Sequence, residues 1–426
     1  MNTIRHWVII SCLMAALVSY GCSTARQSGL EGEGESASRV NLDAFTLSDG
    51  DRVVFLGNSL FEKDLRYGLI EYTLATRFHD RDVIFRNLGW SGDTVFGESR
   101  GYFTTPPDAY GHLINQLTEA EPTVVFVAYG SIESQEGEEG IPRFREGLER
   151  LLDRITELGA EAVLLSPIPH FEQGSPVKEI QAYHEQLSSY SEVLSETADR
   201  RGIRFIDLFQ PLKEQGRQAA LSDNGIHLNE EGYAFLASEL ERALGFANRN
   251  QPVVIDLPEA VRSGGAFSVQ TETLPLPTDF LQMSTRRSSS NGPAASMPVG
   301  SEQRSYTVRI PGLSEGTYSI SADGYHLVRA PSSEWEEGVI IDVSVQQDVW
   351  LHQAAELREL IVRKNDLHFQ QYRPPNRTYL TGFRSYEQGQ NAVELEELGE
   401  HIARLEEQIA ELRTPRPVRL MLRKIN

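Results

Sequence analysis

Between residue 51 and about residue 246 the chain alternates five short apolar, β-branched runs with longer helical stretches, and this alternation restricts the fold more than any other feature. The runs are VVFLG (53–57), VIFRNLG (83–89), TVVFVAYG (123–130), EAVLLSPIP (161–169) and IRFIDL (203–208). Near-continuous apolarity is what a strand needs when both faces of its sheet are covered, and covering both faces takes helices between the strands. Helices are predicted over Glu62–Phe78, Pro142–Leu158, Lys178–Arg201 and Glu230–Ala243. In the second of these, Phe144, Leu148, Leu151, Leu152, Ile155 and Leu158 recur at helical spacing. Residues 41–250 are therefore expected to form a three-layer α/β/α domain on a parallel sheet.

The pattern changes beyond residue 251. SYTVRI (305–310), TYSISA (317–322) and GVIIDVSV (338–345) alternate apolar and polar residues with no long helix between them, which predicts a small antiparallel β unit over 251–345. A hairpin is expected to turn at Asp323-Gly324, and the Ser/Arg/Gly/Pro-rich stretch 284–301 is expected to be a loop. Residues 346–426 return to helix, over Ala354–His368 and again where Leu398, Ile402, Leu405, Ile409 and Leu412 make a narrow apolar stripe. Such a stripe suits either a dimerising coiled coil or a helix lying against its own domain; with fewer than three heptads the second is expected. The segment 369–392 between these helices is dense in Arg, Tyr, Asn and Gln without periodicity, a composition that can line a polar groove.

The N-terminus carries an address. Arg5 precedes an apolar run from Trp7 to Tyr20 that suits the hydrophobic core of an export signal and is short for a membrane span. The run ends in Ser-Tyr-Gly-Cys, the form of a bacterial lipoprotein signal in which Cys22 is lipidated, although Ser19 stands where such signals usually carry leucine. Ordinary secretion and an uncleaved anchor are the alternatives. Residues 1–22 are read as the signal and the Gly/Ser/Glu-rich residues 23–40 as a flexible tether to the cell envelope. The chain has only two cysteines, Cys12 and Cys22, so the mature protein would have neither a disulfide nor a thiolate metal site. A formal net charge of -21 argues against nucleic acid as a partner, because phosphate binding needs clustered Lys and Arg. No cofactor and no metal are implied.

Two residues carry the chemistry. Ser59, in FLGNSLFE, stands where the first apolar strand gives way to a helical pattern; His227, in SDNGIHLNEEGY, stands in a turn-rich loop leading into the Glu230–Ala243 helix. Strand-to-helix turns lie at the carboxyl edge of a parallel sheet, where α/β proteins place their chemistry. A serine there becomes nucleophilic once a histidine can take its proton. The plainer role for Ser59 is to cap the helix that follows.

FLGNSL, NLGWSGDT, VAYGSIES and SDNGIH occur in the order of the blocks of the SGNH (GDSL-type) hydrolase family, which residues 51 to about 245 resemble; the 369–392 segment resembles the C-terminal extension of a lipoprotein-like bacterial branch. The resemblance implies that Ser59 is the nucleophile and His227 the general base. It implies an oxyanion hole built from the backbone N–H groups of Ser59 and Gly89. Three departures stand out. Asn58 replaces the Asp of the GDS block, and Ile132 occupies the position of an Asn that would donate a third oxyanion hydrogen bond. Asn224 occupies the position of the Asp that orients the histidine, with a carboxylate one residue earlier at Asp223. Either Asp223 reaches across the turn or the site works as a Ser–His dyad. Among other candidates, His170 is expected at the surface near the active edge and the acidic run Glu133–Glu139 in a solvated loop. Trp90 and Phe96 suit either a sugar-stacking wall or the core. The implied function is an extracytoplasmic, lipid-anchored serine esterase acting on acyl esters, foremost O-acetyl groups on carbohydrate. The alternative is a degenerate hydrolase that binds glycan or protein.

Overall fold

The computed structural model describes residues 44–103, 108–171, 177–215, 220–247, 253–254, 265–269, 276, 303–322, 324–344, 349–374 and 391–425. Cys22, the signal and tether, the 284–301 stretch and residues 375–390 lie outside the described residues.

Five strands, β1 (Arg52–Gly57), β2 (Ile84–Asn87), β3 (Val124–Ala128), β4 (Glu161–Leu165) and β5 (Arg204–Ile206), form one sheet in the order β2-β1-β3-β4-β5. Every pairing is parallel, with Val53 beside Val124 and Gly57 beside Ala128. Alternate residues of each strand enter opposite faces. Val53, Phe55, Val124 and Phe126 join one buried cluster, and Val54, Leu56, Val125 and Val127 join the other. Doubly covered strands explain why the sequence shows apolar runs. The fold is the three-layer α/β/α architecture, with its topological switch between β1 and β3, where ligands of such sheets bind.

The helices are α1 (Ser59–Asp64), α2 (Leu69–Arg77), α3 (Ala109–Glu119), α4 (Ile141–Glu157), α5 (Val177–Arg201), α6 (Phe209–Glu214) and α7 (Glu230–Ala243). The helix predicted over Glu62–Phe78 is in fact two. Gly68 takes a left-handed φ of 65°, and the buried Asp64 carboxylate turns back to accept the N–H groups of Leu69 and Ile70 at 3.0 and 3.2 Å. A residue other than glycine is strained in that conformation, so the break is built into the sequence. The result is a very short α1, which aims its first residue, Ser59, into the space above the sheet.

Beyond the sheet, β6 (Val253–Val254), β8 (Gln303–Arg309) and β11 (Val339–Ser344) form a three-stranded sheet. A four-stranded one has the order β10-β9-β12-β7, from β7 (Gly265–Val269), β9 (Thr317–Ala322), β10 (Tyr325–Pro331) and β12 (Val418–Ile425). β9 and β10 pair antiparallel as a hairpin across Gly324, which has φ 91°. Trp335, on the short α8 (Ser332–Glu337), is fully buried with Ile310, Tyr318, Ile320 and Leu422. The C-terminal part departs from an all-helical reading: its last strand, β12, lies between β9 and β7. VRLMLRKI is too short and too cationic to announce itself by alternation; its partners decide its state.

The two long C-terminal helices, α9 (Val349–Tyr372) and α10 (Asn391–Leu412), pack on the α/β domain. Leu351, Ala354, Leu357 and Ile361 of α9 and Ile409 of α10 belong to the same buried cluster as β1 and β3. Inside that contact Lys364 Nζ bonds Glu71 at 2.8 Å and Phe85 O at 3.0 Å, and Asn365 donates to Glu71 at 2.9 Å. The α10 stripe therefore faces its own chain. Among the described residues no helix is long and apolar enough to cross a membrane.

Candidate active site

The β1–α1 junction is shaped by glycine. A Cβ on Gly57 would sit 2.6 Å from Ala128 O, so only glycine lets the two central strands end together. Asn58 caps α1, its side chain accepting from Leu60 N at 3.3 Å while its Nδ2 donates to Ser131 Oγ at 2.7 Å. Capping is thus the work of Asn58, and Ser59 is left half-buried at the first helical position. It lines a cleft of about 170 Å³ with Ser91, Gly92, Ser131, Ile132, His170 and His227. The structure brings Ser59 and His227 to one cleft across 168 residues of sequence.

The loop Leu221–Asn229 carries His227. Ser222 Oγ donates to His227 O at 2.7 Å and accepts from Gly225 N at 2.9 Å, closing the loop on itself. Asn224 Oδ1 accepts from the N–H groups of Ile226 and His227 at 3.0 and 2.8 Å. Those two donors fix the amide's orientation, since the reversed amide would set its own hydrogens against them. Asn224 Nδ2 therefore faces His227 Nδ1 at 3.0 Å and donates to it. An imidazole that accepts at Nδ1 carries its proton on Nε2 when neutral. That is the tautomer opposite to the one a triad carboxylate selects. Burial lowers the His227 pKa below the usual histidine value, with the Lys63 charge adding to the effect and Glu62 opposing it.

Asp223 does not reach across the turn. Its exposed carboxylate accepts from Asn229 Nδ2 at 2.9 Å, and Asn229 in turn caps α7 through Gly232 N at 3.0 Å. The side chain bonded to the imidazole is that of Asn224, and Asp223 belongs to the start of the helix.

Gly89 is also corrected. Its N–H donates to Asn87 Oδ1 at 2.9 Å and it does not line the cleft; a Cβ there would meet Glu62 N at 2.3 Å, so its glycine serves the close packing of α1. The cleft is instead walled by Ser91 and by Gly92, whose φ of 77° marks the turn in Ser-Gly-Asp. The Ser-Gly pair after Trp90 was the signal for that turn. Neighbours hold this wall firmly. Glu62 accepts from Ser91 N at 2.6 Å and Ser91 Oγ at 2.8 Å, and Arg373 at the end of α9 reaches the same carboxylate at 3.0 Å. Burial of Glu62 acts to raise its pKa, but the two Ser91 bonds and the Arg373 charge outweigh it and the net shift is downward. Tyr372 OH donates to Gly89 O at 2.8 Å. Arg100, fully buried, bonds Asp93 at 2.7 Å and Leu88 O at 3.0 Å.

Trp90 is core, 1% exposed, with the Arg373 and Arg100 guanidinium groups 4.1 and 5.1 Å from its ring, so it offers no face to a sugar. Phe96 is covered by Arg143 at 4.5 Å. Glu133 also departs from its expected place in a solvated loop. It is buried and accepts from Gly130 N at 2.8 Å and Val95 N at 2.9 Å, joining the Ser131–Ile132 wall to the Gly92 wall. Burial pushes its carboxyl up to about 7. Ile132 faces the cleft and cannot donate. His170, expected at the surface, is half-buried in the cleft; burial and the charges of His184 and His227 lower its pKa. Among the described residues no group of three or more His, Cys, Asp or Glu is arranged to hold a metal ion.

Residues 55–235 match the family of GDSL-like lipases and acylhydrolases. This part of the chain is a GDSL-like acylhydrolase domain. No curated protein sequence matches the chain. Among solved structures it is similar to BT4096, a gut microbial diltiazem-metabolizing enzyme, at 18% identity and a TM-score of 0.62, over 89% of this chain and 99% of that one. That likeness extends past the acylhydrolase domain into the C-terminal elements. It is also similar to a catalytic mutant of Axe2, an acetylxylan esterase from Geobacillus stearothermophilus, at 17% identity and a TM-score of 0.37, over 48% of this chain and 98% of that one. A third, LAE5 from the metagenome of Lake Arreo, shares 18% identity with a TM-score of 0.37, over 47% of this chain and 97% of that one.

Proposed function

We propose that the protein is a serine esterase of the cell envelope, with Ser59 as nucleophile and His227 as its proton acceptor, acting on short acyl esters such as O-acetyl groups on carbohydrate. The observation that carries the reading is the meeting of Ser59, at the first position of α1, with His227 in a cleft walled by Ser91 and Gly92. Attack by Ser59 Oγ on an acyl carbon places negative charge on the carbonyl oxygen, and the N–H groups of Ser59 and Gly92 are the donors available to it. Transfer of the Ser59 proton needs His227 with Nε2 unprotonated. The Asn224 amide opposes this state, because it donates to the nitrogen that would have to hold the proton. The esterase is therefore a slow one.

The same hydrogen bond, with Ile132 in place of a third donor, favours a second reading, a degenerate hydrolase that binds glycan or protein. Turnover of an acetyl ester by the wild type and by Ser59→Ala separates the two. A Ser59-dependent rate supports the esterase; equal background rates in both proteins sink it. Attachment to a bacterial membrane through lipidated Cys22, facing the periplasm or exterior, is tested separately. Cys22→Ser should appear in the soluble fraction, and retention on membranes with residues 1–21 still attached would replace the lipid anchor by an uncleaved one.

A further inference from the structure

A second cavity, of about 280 Å³, adjoins the catalytic cleft and shares His227 and Leu228 with it. Its charged lining is Lys63, Arg66 and Asp223, with Tyr67 and Asn224 between. Lys63 stands one helical turn after Ser59, so the residue that starts α1 and the cation that follows it share a face. The Lys63 charge is close enough to His227 to help lower its pKa. Arg66, in the turn after α1, is exposed and has no carboxylate partner among the described residues; its guanidinium lies 5.8 Å from the Tyr67 ring. Among the described residues Lys63 has only a loose 3.5 Å contact with Glu62, a carboxylate already engaged by Ser91 and Arg373. Asp223, the one acid of the cavity among the described residues, is hydrogen-bonded to Asn229. Two cations with unspent hydrogen-bonding capacity thus face a single committed carboxylate, on a chain whose formal net charge is -21.

We propose that this cavity binds an anionic group, a carboxylate foremost, on the alcohol half of the ester, and so selects acylated acidic hydroxy compounds over neutral ones. The inference rests on the esterase reading. A histidine that returns the serine's proton to the leaving alcohol stands beside that alcohol, and the space continuing past His227 is the one Lys63 and Arg66 line. Arg presents a planar fork to a carboxylate and Lys a point charge, so the pair can hold both of its oxygens.

The test compares 4-acetoxybenzoate with 4-acetoxybenzamide, which share shape and acyl group and differ in charge. Wild type should show kcat/KM about tenfold higher for the benzoate, in keeping with one charge-assisted hydrogen bond. The ratio should fall toward one in Lys63→Met with Arg66→Gln and with rising salt, and survive in Arg66→Lys. Equal use of both esters, or a preference indifferent to these substitutions, overturns the proposal. Should neither ester be turned over, the esterase reading fails instead, and the cavity is judged by binding. In calorimetry 4-hydroxybenzoate should then bind more tightly than 4-hydroxybenzamide, with the difference lost in the double variant, and equal binding overturns it.

Discussion

The Trp90–Asp93 wall of the cleft takes its bonds from distant parts of the chain, whereas the Leu221–Asn229 loop supplies most of its own. Ser91 is held by Glu62, Asp93 by Tyr129 just after β3, and Gly89, which leads into the wall, by Tyr372, so three elements must be in place before that wall has its shape. His227 depends on Asn224 and Ser222, within five residues of itself. A wall of the first kind is set by tertiary packing and resists single changes. In a loop of the second kind one side chain, Asn224, decides the state of the His227 ring. The difference teaches that the shape of the cleft wall and the state of the His227 ring are separately adjustable.

The largest effect should come from Asn224→Asp. A carboxylate keeps the two backbone N–H bonds through one oxygen and accepts Nδ1–H through the other, reversing the tautomer. The corresponding loss of Asp from a Ser-His-Asp triad lowers kcat by about 10⁴-fold, so the gain here can approach that. It should appear in kcat with KM little changed, and the acid limb of the pH–rate profile should move to higher pH because the new charge favours imidazolium. An unchanged kcat would mean that His227 is not the base.

Ile132→Asn ranks next. A missing oxyanion donor is worth about 10²–10³ in kcat, and the new amide adjoins Ser131 on the cleft wall. If the Gly92 and Ser59 amides already saturate the oxyanion, the rate on acetyl esters will not move.

Arg373→Ala tests whether the brace transmits from the C-terminal extension to the cleft. The Ser91–Glu62 bonds remain but lose their outer partner, and kcat should fall roughly tenfold, about 1.4 kcal/mol of transition-state stabilisation, with KM nearly constant. Arg373→Lys should restore part of it. Loss of thermal midpoint with no change in kcat would make the contact purely structural.

Glu133→Gln sharpens the contrast through pH. A carboxyl raised to about 7 in the fold, against an ordinary value of 4.5, is protonated in the folded state where the unfolded chain is already ionised. Its contribution is therefore full below pH 4.5 and is lost as pH rises toward 7. Relative to Glu133→Gln, wild type should lose on the order of 3 kcal/mol across that window, read from denaturant midpoints. A flat difference would show that Glu133 is ionised throughout.

Asp223→Ala should be the mildest, under about twofold in kcat, because the carboxylate bonds Asn229 and not the imidazole; loss of an auxiliary helix-start contact costs about 1 kcal/mol of stability or less. A collapse of activity would restore Asp223 as the orienter.

The contrast also explains what the sequence made legible. Buried strands leave apolar runs and α7 leaves its period, so the sheet and the Glu230–Ala243 helix are readable within a few residues. Ser59 and His227 are readable because turns at the carboxyl edge of a parallel sheet converge. The orientation of the Asn224 amide is not, since one residue type permits either direction and only two backbone N–H groups choose between them. The choice of Gly92 over Gly89 turned on which amide was already spent on Asn87, a long-range fact. Glu62, Tyr372 and Arg373 could not be placed without the docking of α9.

β12 has a consequence for the order in which the protein is made. Its two neighbours, β7 and β9, are translated well before it, yet it is their common hydrogen-bonding partner. The parallel sheet can close once residue 206 has emerged, while the four-stranded sheet waits for residue 425. At about 5–20 residues per second, the roughly 100–160 residues of synthesis that follow β9 and β7 leave those strand edges unpaired for about 5–30 s. A ribosome stalled, or a protease cutting, just before Val418 would release a chain with its acylhydrolase sheet finished and two adhesive edges open.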